Sequence, residues 1–257
     1  MTTDSRLNGK KGLIVGIANR DSIAFGCARA FQTAGARLAI TYLNEKAAAH
    51  VVPLAQELGA EIVLPLDLRD AHTLAQVFAE ISRVWGELDF LLHSVAFAPK
   101  DDLHRPLWQA SREGFLTAMD TSCHSFLRLA GCAVPLMGGG GSLITVSYLG
   151  AERVVPHYNL MGPVKAALEA VVRYAAAELG PRGIRVNALS PGPIPTRAAG
   201  GLEDFDALLA EAREKAPTHH TVTLDEIGAY ASFLIGDGAT NVTGGIHYID
   251  GGQHIMA

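Results

Sequence analysis

Cysteine is scarce. The chain has three in 257 residues, at positions 27, 123 and 132, an odd number, widely spaced and without the clustering a metal site needs. They read as reduced packing residues, which points to a cytoplasmic compartment. Positive charge is also short: 21 Lys and Arg against 26 Asp and Glu leave a net charge of −5. Such a balance provides no basic face for nucleic acid. No apolar run approaches the roughly 18 residues of a membrane span, and the stretch before the first strand lacks the apolar segment of a signal peptide. Nucleic acid, membrane and metal are therefore not expected partners. The usual dinucleotide fingerprint G-x-G-x-x-G is missing too.

What is present is a regular alternation of short apolar runs and helical patterns. Strands are expected at 12–16, 36–42, 61–68, 88–96, 142–146, 183–190 and 244–250. Helices are expected at 23–34 and 45–58, then up to about 85, up to about 134, and onward from 165. Strands joined by helical crossovers run parallel, so the chain reads as one α/β domain over 1–257, a doubly wound seven-stranded parallel sheet with helices on both faces. The glycine run at 138–141 precedes a strand rather than a helix and reads as a turn.

Ligands of such sheets bind beyond the carboxyl ends of the strands. The first strand leads into GIANRDSIAFG, residues 16–26. Gly16 suits a tight exit, Ser22 either caps the next helix or binds a phosphate beside Ile23, and Gly26 lets that helix pack close to the sheet. The third strand leads to Asp67, which with the Leu66 and Leu68 amides holds an adenine or merely caps a helix. The fourth ends in His93, Ser94, Val95 and Ala96, suited to backbone passing beside a cofactor, with His93 itself a core histidine. The sixth ends in SPGPIPT, residues 190–196, a rigid loop in which Ile194 and Thr196 suit a nicotinamide carboxamide. After the second strand Lys46 is the one basic residue, which favours NADH and leaves NADPH as the alternative.

The stretch SYLGAERVVPHYNLMGPVK, residues 147–165, is the centre of the chain. On a helix, Tyr158 and Lys165 would be about 700° apart and share one face. The ammonium would then lower the phenol's pKa and make it a donor to a developing oxyanion. Tyr148 adds a second hydroxyl. Pro163 is tolerated only in a first turn, so the helix is expected to begin near 158 or 159.

Together these motifs resemble the short-chain dehydrogenase/reductase superfamily, and within it the bacterial NADH-dependent enoyl-acyl-carrier-protein reductases. The resemblance rests on G-x5-SIAFG, HSVAFAP (93–99), SYLGAERVVPHYNLMG (147–162), KAALEA, GPRGIRVNALSPGPIPT (180–196) and YIDGG (248–252). Carbonyl-reducing members place the catalytic tyrosine four residues before the lysine, where this chain has Met161. The spacing of seven resembles the enoyl reductases, with Tyr148 in place of a serine.

The resemblance implies a Rossmann-type fold and hydride transfer from NADH to the β-carbon of a trans-2-enoyl thioester. Tyr158 would stabilise the oxyanion, Lys165 would hold the nicotinamide ribose, and Tyr148 would shape the pocket. It implies cofactor contacts at Gly16, Ser22, Ile23, Asp67, Leu68, Ser94, Val95, Lys165, Ile194 and Thr196. Ala96, Tyr148, Met161, Leu202 and Phe205 would line the substrate side beneath a lid at about 196–215. A homotetramer is implied as well, consistent with apolar helices at 115–134 and 166–179.

One departure bears on the partner. From 201 to 215 the lid carries five acidic residues (203, 204, 206, 211, 214) against two basic ones (213, 215), where an acidic acyl carrier protein would want the reverse. His219 and His220 stand where relatives have arginines. Either Arg105, Arg112, Arg128 and Arg197 form a compensating patch, or the thioester arrives on coenzyme A or a specialised carrier. The remaining alternatives are a reductase of another enone or ketone and a non-catalytic dinucleotide-binding protein.

Overall fold

The seven expected strands form where Val, Ile and Leu are densest. In the computed structural model, which describes residues 6–196 and 204–256, they are β1 (Lys11–Val15), β2 (Arg37–Tyr42), β3 (Ile62–Pro65), β4 (Phe90–His93), β5 (Gly141–Val146), β6 (Ile184–Pro191) and β7 (Ile246–Ile249). They pair in the order β3-β2-β1-β4-β5-β6-β7, every pair parallel. Alternate β1 residues serve opposite faces: Leu13 and Val15 join one core, Ile14 the other.

The first core is covered by α3 (Ala71–Trp85), α6 (Ser125–Ala133) and α7 (Met161–Leu179), the second by α1 (Ile23–Thr33), α2 (Glu45–Glu57) and α9 (Leu224–Ile235). Three further helices, α4 (Lys100–His104), α5 (Arg112–Met119) and α8 (Phe205–Lys215), lie towards the carboxyl edge or follow from it. β3, β4 and β7 are shorter than expected. Pro65 ends β3, an edge strand where a missing N–H is tolerated.

Chain order reverses between β1 and β4, opening a crevice at the carboxyl edge. Gly16 makes that crossing. Its φ is +117°, and a Cβ there would lie 2.1 Å from the Ser94 carbonyl oxygen. Only glycine combines that backbone with that approach. Gly26 acts differently from expectation. A Cβ on it would meet Leu224 Cβ at 2.8 Å, so it lets α1 pack on α9, not on the sheet. The single helix expected up to about 134 is interrupted by a π turn, Asp120–His124, between α5 and α6. There the Ser125 hydroxyl donates to Thr121 O at 2.6 Å instead of leaving the helix ladder undisturbed.

Candidate active site

The site begins where β5 ends. The Ser147 amide donates to Leu189 O at 2.7 Å, extending the sheet by one bond before Tyr148 turns out in extended backbone. A single turn, Leu149–Ala151, and a loop then lead to Tyr158. This residue is not on α7. His157 (φ 62°) and Asn159 (φ 37°) flank it in left-handed backbone, and the helix starts only at Met161. The cause is Pro163, whose ring bars a helical carbonyl four residues back, at Asn159. Helical periodicity is therefore not what joins Tyr158 to Lys165.

They meet nonetheless. Tyr158, Tyr148, Lys165 and Met161 line one cavity of about 840 Å³ with Ile23, Ala96, Ile194, Thr196 and Phe205. Tyr158 is 9% exposed, and its ring lies so close over Gly150 that a Cβ there would be 2.3 Å from Cδ1. The Tyr148 hydroxyl is buried without a hydrogen-bond partner. Lys165, 4% exposed, donates from Nζ to Val146 O at 2.6 Å.

The electrostatics correct a second expectation. Lys165 does not lower the Tyr158 pKa; burial drives it well above the ordinary phenol value, with Tyr148 and Glu169 adding to the rise. Tyr148 is pushed up to about 12, chiefly by burial and then by Glu211 of α8. Both phenols are therefore neutral O–H donors at physiological pH. Lys165 is pulled down to about 8 by burial, against the opposing influence of Cys123 and Glu169.

The cofactor side fits a dinucleotide. Ser22 does not cap α1; its hydroxyl donates to Asn19 O at 2.6 Å, leaving the first helix amides open to an anion. Asn19 Oδ1 is buried beside it without a partner. Ser94, at the crossing with Gly16, donates its amide to Val15 O at 2.9 Å, and Val95 packs partly buried against the first core. Asp67 is held below the usual carboxylate range by bonds from Arg69 at 3.0 and 2.8 Å. Leu68 is buried in the core. The Leu66 amide is not free for adenine, because it donates to Tyr42 O at 2.8 Å. Beyond β2, Asn44 caps α2 by accepting from the Ala47 amide at 3.0 Å, and no arginine stands in residues 41–46.

His93 is the core residue it was expected to be. Its ring nitrogens meet Thr145 Oγ1 at 2.8 Å and Ser125 Oγ at 2.9 Å, and burial lowers its pKa to about 3. On the substrate side, Phe97, Lys100, Leu103, His104 and Leu208 join the wall unannounced by the sequence. Most belong to α4, five residues in a polar loop, too short to show a period. Leu202 and Arg197 lie outside the described residues. Arg105 and Arg128 do not form a free basic patch: Arg105 Nε lies 3.8 Å from Asp102, and Arg128 pairs with Asp120 at 3.1 Å.

A family model described as enoyl-(acyl carrier protein) reductase matches residues 16–254. Enoyl-[acyl-carrier-protein] reductase [NADH] 1 of Rhizobium meliloti is 46% identical over 250 residues, 97% of this chain and 92% of its own. The NADH enoyl-[acyl-carrier-protein] reductase FabI of Escherichia coli is 44% identical, covering 98% of this chain and 96% of its own. A crystal structure of the Anaplasma phagocytophilum reductase in complex with NAD superposes with a TM-score of 0.96 at 44% identity, over 100% of this chain and 98% of that one. A Bacillus cereus reductase with NADP+ and an indole naphthyridinone gives 0.96 at 43% identity, over 98% and 99%.

Proposed function

We infer the reaction from one premise: the chain belongs to the enoyl-(acyl carrier protein) reductase family. It is an NADH-dependent enoyl-thioester reductase of fatty-acid biosynthesis. The observation that carries this reading is the meeting of Tyr148, Tyr158 and Lys165 on one cavity that also reaches Ile23 at the open end of α1.

NADH supplies the hydride that reduces the β-carbon of the trans-2-enoyl thioester. The charge that then develops on the thioester oxygen needs a donor already in place. Tyr158 is that donor: neutral, buried, and fixed by Gly150 and Tyr148 so that little reorganisation is needed. Lys165 would hold the nicotinamide ribose hydroxyls and so keep the cofactor beside Tyr158. Gly16, Ser22, Ile23, Asp67, Leu68, Ser94, Val95, Ile194 and Thr196 form the rest of the cofactor site. Ala96, Met161 and Phe205, with Tyr148, line the side that receives the acyl chain. NADPH is the weaker cofactor, since no arginine cluster follows β2.

Acyl carrier protein is the expected donor of the thioester. A second reading, delivery by coenzyme A or an unusual carrier, draws on α8. Asp204 at its N-cap and Asp206, Glu211 and Glu214 within it outnumber Arg213 and Lys215; Lys215 is spent on Glu211 at 2.9 Å, and Asp204 lies 3.8 Å from His157. A cytoplasmic homotetramer is proposed as well; Phe115, Leu116, Leu127 and Tyr174 keep apolar surface exposed on α5, α6 and α7.

The test is NADH oxidation with one short trans-2-enoyl chain carried by acyl carrier protein or by coenzyme A, for wild type and Tyr158→Phe. Turnover that is faster on the carrier and lost in the variant supports the first reading. A preference for coenzyme A supports the second. No turnover on either overturns both.

A further inference from the structure

A buried carboxylate within electrostatic reach of the oxyanion donor works against the reaction, and α7 carries one. Glu169 is 3% exposed, one helical turn after Lys165 on the buried face of α7. It raises the Tyr158 pKa, an effect contrary to oxyanion stabilisation. Such a group needs a compensating use.

Its contacts supply one. The Ser147 hydroxyl, itself 3% exposed, donates to Glu169 Oε1 at 2.5 Å, while Lys165 Nζ donates to Val146 O at 2.6 Å. Two residues one turn apart on α7 thus grip two consecutive residues at the exit of β5. The next residue in the chain is Tyr148. Resting on the reading of Tyr158 and Lys165 given above, we propose that Glu169 is a positioning residue: it ties the β5 exit to α7 through Ser147 and serves as the buried counter-charge that keeps Lys165 cationic.

The surroundings agree with that use. Lys165 faces Cys123 from the π turn, His93 from β4 and Glu169 from α7. His93 is neutral and burial raises the Cys123 thiol, so Glu169 is the carboxylate among them. Glu169 in turn faces Lys165 and Arg173 on α7, Glu152 after the β5 turn, and the phenols of Tyr158 and Tyr248. Burial raises its own pKa, and the Ser147 donor, Arg173 and Lys165 oppose that rise by favouring the charged form.

The experiment compares wild type, Glu169→Gln, Glu169→Asp and Ser147→Ala from pH 6 to 10, by NADH binding (cofactor fluorescence) and by enoyl-thioester turnover. Gln keeps an acceptor for Ser147 and removes the charge; Ala keeps the charge and removes the tie. Loss of a neighbouring anion lowers an ammonium pKa, so in Glu169→Gln the alkaline limb of both profiles should move to lower pH by about one unit. Ser147→Ala should leave that limb in place and lower kcat severalfold.

A Glu169→Gln profile superimposable on wild type, or an equal shift in Ser147→Ala, overturns the proposal. If Glu169→Gln binds no NADH at any pH, Glu169→Asp decides: a wild-type limb supports the counter-charge, and a shifted one overturns it. Should the wild type bind NADH but reduce no enoyl thioester, the functional reading fails by itself, and the binding arm still tests Glu169.

Discussion

The rings of Tyr148 and Tyr158 meet edge to face, their centroids 4.9 Å apart and their planes at 63°. Ten residues separate them in sequence, and neither lies in a helix or strand. The contact fixes the donor by packing rather than by a hydrogen bond, since the Tyr148 hydroxyl has no partner. The two hydroxyls should therefore respond differently to removal. Tyr158→Phe should lower kcat about a hundredfold or more while NADH affinity stays within about twofold. Tyr148→Phe should cost far less in rate and nothing in melting temperature, because it deletes an unpaired buried hydroxyl. Steady-state kinetics and a thermal melt on both variants check this.

Gly150 is where the ring of Tyr158 rests. An alanine there puts Cβ 2.3 Å from Cδ1, a contact that the ring must leave. Gly150→Ala should lower kcat about ten- to a hundredfold through displacement of the donor. NADH binding, measured by fluorescence, should change little, since the added methyl meets the Tyr158 ring rather than Lys165.

The wild-type pH profile should have one alkaline limb near neutral conditions. Lys165, held at about 8 by burial, acts in its protonated form. Activity should be level below about pH 7 and fall as pH rises through about 8. Neither tyrosine titrates in that window, as both lie raised above it. A profile of kcat/KM that stays flat to pH 10 contradicts the assignment.

The acidic face of α8 should slow an acidic carrier. Reversing two charges, Glu211→Lys with Glu214→Lys, should lower KM for a carrier-borne enoyl chain severalfold at low salt. The gain should shrink at about 0.5 M salt through screening. An uncharged short thioester should show no such change, which separates docking from chemistry.

Much of the site was legible because its elements announce themselves locally. Gly16 could be placed from its position after an apolar run, and the structure gives it a φ of +117°. Lys100, Leu103 and His104 could not be found this way, because a five-residue helix in a polar loop carries no hydrophobic period. Gly26 was assigned the right kind of contact with the wrong neighbour: a close approach is readable from a glycine, but that α9 makes it is not.

The order of strands and helices, the parallel sheet and the residue types at each strand end were determined by the sequence itself, since periods of two and 3.6 residues are local properties of the backbone. Tertiary structure decided the rest. It brought Tyr158, which Pro163 keeps off the helix, to Lys165, and it placed Glu169 against Ser147. It also reversed the direction of the Tyr158 pKa, because burial depends on everything packed around a group and outweighs any charge that spacing alone can name.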